Sequence, residues 1–139
     1  MQIFAISGLI NAISALGLGF FVILKDQKRQ TNRLFFLMTL ALSIWAFAYW
    51  RWLSSADHQT ALMWVKILST GSLFIPVFYF HWVVSVLDLQ KQNTSVTTVA
   101  YSLSLIFLFY AFSDLFVADV APKAIFSFWP IPGPFYIWY

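Results

Sequence analysis

Lys66, His81, Asp114 and Arg51 are titratable side chains in or beside stretches that otherwise carry almost no charge. A charge in lipid is costly, so such a group pairs, faces a wet cavity or reaches the interface along its own methylenes. Lys66 stands about one and a half turns inside its apolar run, at 3.6 residues per turn. Arg51 and Asp114 fall near the same level of the neighbouring runs. Snorkelling of Lys66 needs no partner. The alternatives are a Lys66–Asp114 pair or an Arg51–Asp57 pair, either of which would make a polar site among the second, third and fourth helices. His81, in FYFHWVV, has a side chain that elsewhere ligates haem or relays protons. The other His, His58, lies in the opposite turn, about 34 Å away at 1.5 Å per residue. The two cannot share one metal or haem, so a hydrogen-bonded packing role is expected for His81.

Known catalytic patterns are missing. The chain has no Cys, which excludes disulfides, thiolate metal sites and Cys nucleophiles. It has no Gly-rich phosphate loop, no paired intramembrane carboxylates, no H-E-x-x-H and no G-x-S-x-G. Its intramembrane Ser residues have no nearby base to activate them. The expectation is a segment without catalysis, cofactor or metal.

The elements that hold these residues follow from composition. Hydrophobic residues make up 61% of the 139 and charged residues 9%, against a charged share of roughly a quarter in soluble domains. So short a chain cannot hide that much apolar surface from water. Lipid must be the solvent. The net charge of +3 is spread too thinly for a phosphate-tracking face, so nucleic acid is not an expected partner; the basic residues are better read as topology signals.

Apolar runs at 3–24, 34–53, 61–87 and 96–117 are each long enough to cross a hydrocarbon core, which takes about 20 helical residues. The predicted fold is an all-α membrane protein, a polytopic bundle of about four transmembrane helices in a single domain over 1–139. An aromatic, Pro-rich segment at 118–139 is expected at the outer interface, where Trp and Tyr concentrate. The 25–33 loop, KDQKRQTNR, carries four basic residues and one acid, whereas the 54–60 turn carries none but Asp57 and His58. Basic loops stay inside, so the N-terminus and the tail are expected outside. The first run lacks the leading charge and small-residue cleavage site of a signal peptide, so it reads as a retained helix. A multi-pass protein of a bacterial cytoplasmic membrane is the expected location.

Within the spans, Ser7, Asn11, Ala15 and Gly19 recur every four residues and predict a helix-packing stripe, since small residues let helices approach in lipid. Pro76 removes the amide that would bond the Ser72 carbonyl and predicts a kink, with a signal-transmitting hinge as the alternative. Trp45 lies deeper than Trp50 and Trp52, where its indole N–H needs a partner.

These features carry a resemblance. NRLFFLMTLALSIWAFAYW with Trp45, then ALMWVKILSTGSLFIPVFYFHWVV with Lys66, Gly71, Pro76 and Phe80, is similar to the N-terminal seven-helix membrane region of bacterial sensor histidine kinases. The closing PGPFYIWY resembles the aromatic lead-in to that family's fifth helix. The resemblance implies a sensory input domain, outside at its N-terminus, that precedes cytoplasmic kinase or diguanylate cyclase modules and works as a homodimer. It also implies that 1–139 holds the first four helices and the start of the fifth. Lys66 stands where that family often has Arg, which keeps the charge and loses the bidentate fork.

The expected function is reception of a small or lipophilic signal by the outer helix halves, with Trp45, Lys66 and Asp114 at the site and Pro76 in transmission. The alternatives are a small transport or channel subunit and an assembly or scaffolding protein. A transport path needs a polar helix face, and the first span offers only Ser7 and Asn11.

Overall fold

In lipid a backbone N–H or C=O has no water to bond, so an apolar chain must satisfy these groups within each segment. A computed structural model describes residues 2–136 and shows this outcome. Four helices follow one another: α1 (Gln2–Lys25), α2 (Gln30–Leu53), α3 (His58–Val86) and α4 (Gln90–Ala111). Each is long and apolar enough to cross a membrane. They are followed by strands β1 (Val117–Lys123) and β2 (Phe126–Pro132). Each helix packs chiefly on its neighbours in sequence. The short links between them place the α1–α2 and α3–α4 loops at one end, with the α2–α3 turn and the hairpin at the other.

The helix ends are made by specific groups. Asp57 caps α3 by accepting the Thr60 amide at 2.9 Å. That hydrogen bond holds the exposed Asp57 carboxyl below the usual carboxylate range. At the far end of α3, Asp88 takes a positive φ of 55°. The Leu89 amide then bonds the Val84 carbonyl at 2.9 Å, a helix stop of the Schellman type. The polar starts of α2 and α4, QTNR and QKQNTS, are helical rather than loop. Helix α4 therefore begins six residues earlier than expected and also ends six residues earlier, at Ala111.

The α1–α2 seam corrects the expected stripe. Ala15 and Gly19 are buried, whereas Ser7 and Asn11 are exposed. The buried face is Ala5, Gly8, Ala12, Ala15 and Gly19, which alternates steps of three and four. At 100° per residue a strict four-residue repeat drifts around the helix, while a 3.5-residue average stays on one partner. A Cβ on Gly8 would lie 2.9 Å from the Tyr49 ring and 3.1 Å from the Ala46 carbonyl oxygen. Ser43 Oγ donates across the seam to the Ala12 carbonyl at 2.8 Å.

Gly71 does the same for α2 and α3. A Cβ there would stand 2.9–3.0 Å from Cβ, Cα and N of Trp45. Helix α3 runs unbroken through Pro76, whose ring is exposed. Ser104 Oγ donates to the Leu73 carbonyl at 3.3 Å and joins α4 to α3. His81 Nδ1 lies 3.0 Å from the Tyr101 hydroxyl of α4.

The Pro-rich segment is not irregular. It is an antiparallel hairpin with Val120 opposite Pro130 and Lys123 opposite Phe126, and the register shifts at two places. Proline cannot donate to a ladder, but each strand of a two-stranded ribbon has a free edge that needs no donor. Ala124 turns the chain with φ 53°. Beneath the hairpin lies a core of Trp52, Ala61, Val65, Ala111, Phe116, Val117 and Val120. Phe116 and Val117 are its largest fully buried side chains. A Cβ on Gly133 would collide with the Leu115 carbonyl, so only glycine lets the chain fold back here. Ile137, Trp138 and Tyr139 of the expected lead-in lie outside the described residues.

Candidate functional site

Charge and aromatic surface meet at the hairpin end. Lys66 Nζ donates to Asp114 Oδ1 at 2.9 Å. The lysine side chain is only 14% exposed and the aspartate 81%. Lys66 thus runs its apolar stem through the packed helices and delivers its charge to a carboxylate in the α4–β1 link. Of the two pairs considered from the sequence, this one is formed. Arg51 instead stacks over Trp64 and Trp50, with its guanidinium carbon 5.3 and 5.6 Å from the ring centres, while Asp57 is engaged as the α3 cap.

A second pair joins the same elements. His58 Nε2, at the start of α3, lies 2.7 Å from Asp119 Oδ1 of β1, with both side chains half exposed. It becomes an ion pair only when the imidazole is protonated. Trp52 ties the hairpin to α2: its indole N–H donates to the Phe128 carbonyl at 2.6 Å. Its ring stacks on Phe126 and meets Trp129 edge-on. Lys123, near the hairpin tip, lies over the Trp129 ring at 5.4 Å.

A crevice of about 350 Å³ opens between α3 and the hairpin. Val65, Leu68 and Ser69 line one side and Val117, Lys123, Trp129 and Ile131 the other. The Ser69 hydroxyl is spent within α3 on the Val65 carbonyl, at 2.9 Å. A separate, almost wholly apolar groove between α2 and α3 is lined by Leu37, Leu40, Ile44, Gly71, Phe74 and Phe78.

The residues singled out from the sequence are strung along the helices instead of gathered. Lys66 and Asp114 meet. Trp45 crosses α3 at Gly71, five residues or about 7.5 Å further along the axis at 1.5 Å per residue, and stacks on Tyr49 with ring centres 5.7 Å apart. Pro76 is another five residues on. Sequence reasoning missed the His58–Asp119 pair, the anchoring role of Trp52 and the position of Lys123. All three depend on the hairpin register, and the polar–apolar alternation that would have revealed strands is absent from VADVAPK and FSFWPIP. Among the described residues no three of His, Asp and Glu gather where a metal could be held. The arrangement supports binding and coupling between elements.

A family model described as the N-terminal 7TM region of histidine kinase matches residues 7–139. No curated protein and no solved structure matches the chain.

Proposed function

The chain belongs to the family of N-terminal 7TM regions of histidine kinases, and from that premise we propose that it receives a signal for a bacterial kinase or diguanylate cyclase and passes it across the membrane. The region itself is the multi-pass membrane portion of such a protein, not its catalytic domain. Our reading puts it in the cytoplasmic membrane, as part of a seven-helix domain, with the N-terminus and the hairpin outside. The positive loop at 25–33 supports this orientation. The signal is a small or lipophilic molecule, and the output works as a homodimer.

The observation that carries the reading is the Lys66–Asp114 pair, set in a region of this family. It joins the ammonium of a half-buried lysine on a membrane-crossing helix to an exposed carboxylate beside the hairpin. A ligand that displaces the hairpin alters the partner of a charge whose stem is packed into the bundle. Helix α3 carries that change inward past Gly71, where it is pressed against Trp45, and past Pro76, where the helix lacks one hydrogen bond.

The test is autophosphorylation of the full-length protein in liposomes. Asp114→Asn and Pro76→Ala are expected to shift the basal or stimulated rate while insertion is unchanged. Rates equal to wild type in both variants would sink the reading.

A further inference from the structure

The hairpin end leaves one cation at a cavity without an acid to answer it. Asp114 is engaged with Lys66, Asp119 with His58 and Asp57 with the Thr60 amide. Lys123 has no acidic partner among the described residues, and its ammonium rests over the Trp129 ring. Lys123 lines the crevice between α3 and the hairpin, whose other walls are mostly apolar, among them Val65, Leu68, Val117 and Ile131, with Ser69 and Tyr136 as the further polar members. The crevice volume of about 350 Å³ lies at the lower end of the range of ligand sites, roughly 300–1,000 Å³.

We propose that this crevice binds an anionic amphiphile, with its single negative head at Lys123 and its apolar chain against Val65, Leu68 and Ile131. The chemistry follows from the walls. An apolar floor favours a hydrocarbon chain, and a lone cation at one end favours a compact anion and disfavours a neutral or cationic head. A cation already held over an aromatic face is positioned before the ligand arrives. The α2–α3 groove, by contrast, has no charged lining residue and offers nothing to select a head group.

The inference deepens the sensory reading and rests on it for the statement that binding is a signal. Binding itself is tested separately, with the chain in nanodiscs of neutral phosphatidylcholine and a brominated dodecanoate as the probe. Saturable quenching of Trp fluorescence is expected, reversed by plain dodecanoate and not by dodecanol. Lys123→Gln should weaken the probe about tenfold or more, whereas Lys123→Arg keeps it, and Trp129→Phe removes most of the quenched signal. Equal competition by dodecanol, or equal affinity in Lys123→Gln, would overturn the proposal. Nanodiscs containing phosphatidylglycerol separate the two sources of such a ligand. Loss of probe binding there identifies a bilayer lipid as the occupant, and retained binding identifies a free amphiphile. If dodecanoate binds but leaves autophosphorylation of the full-length protein unmoved, the site stands and the statement that its occupancy is the signal fails. If other stimuli act while the probe never binds, only the site fails.

Discussion

The α1–α2–α3 seam and the hairpin end are joined by opposite means. The seam is close approach to the α2 backbone at Gly8 and Gly71 and to the Thr39 and Phe36 side chains at Gly19, with Ser43 bonding to Ala12 as a polar contact across it. The hairpin end rests on an aromatic core around Phe116 and on side chains that carry charge: Lys66, Asp114, His58, Asp119 and Lys123. Close packing has few states to choose from, because a glycine either touches its neighbour or leaves a void. Charged contacts at an interface exchange partners as ligand, pH or salt changes. The seam is thus held by close packing, and the hairpin end by a buried aromatic core with charged contacts at its surface.

That contrast can be broken in order of effect. Phe116→Ala removes a fully buried ring and should cost about 3–5 kcal/mol, as buried Phe truncations do. Unfolding in micelles, followed by circular dichroism, would show it, with the loss centred on the hairpin and α1–α2 contacts retained. Gly71→Leu drives a side chain into the Trp45 backbone and should cost about 1–3 kcal/mol from overpacking, this time at the seam. Ser43→Ala, by deleting the bond to Ala12, should cost only about 0.6 kcal/mol, the mean for interhelical hydrogen bonds in lipid.

The Lys66–Asp114 contact sharpens the comparison more than it stabilises the fold. With Asp114 mostly exposed, a double-mutant cycle of Lys66→Met and Asp114→Asn should give a coupling of about 1 kcal/mol or less, measured by the same unfolding. A small coupling with a large change in signalling fits an adjustable contact; a coupling of several kcal/mol would make it a structural strut. The smallest effect belongs to Asp57. Its carboxyl is held below the usual range by the Thr60 amide, so its contribution is complete above the unfolded pKa, near 3.9. It is lost only as pH falls through the lower, folded value. Asp57→Asn, which still caps, should remove that acid-range dependence and leave the stability near neutrality almost unchanged.

Much of this was readable from the residues alone. Apolar runs with at most one charge each, bounded by KDQKRQTNR, SSADHQT and DLQKQNTS, gave four crossings, because lipid forces helices on any long apolar stretch. Lys66 and Asp114 could be put at one level because helical rise is constant. The seam was read less well. When a helix is apolar on every side, no polar face marks which side packs, so Ser7 and Asn11 entered the stripe in place of Ala5, Gly8 and Ala12. The hairpin was illegible for a related reason. Pro122, Pro130 and Pro132 argue against strands, and the contacts that stabilise it come from Trp52, His58 and α3, which are distant in sequence.

Reception of an outside signal at the hairpin requires the hairpin to face outward while the basic loop faces the cytoplasm. The chain has no native Cys, so two single-Cys variants, Ile125→Cys at the exposed hairpin turn and Lys28→Cys in the exposed basic loop, report without background. Treatment of intact cells with a membrane-impermeant maleimide should label position 125 at once and position 28 only after the membrane is permeabilised. The reverse pattern, with 28 labelled and 125 protected, would contradict the account.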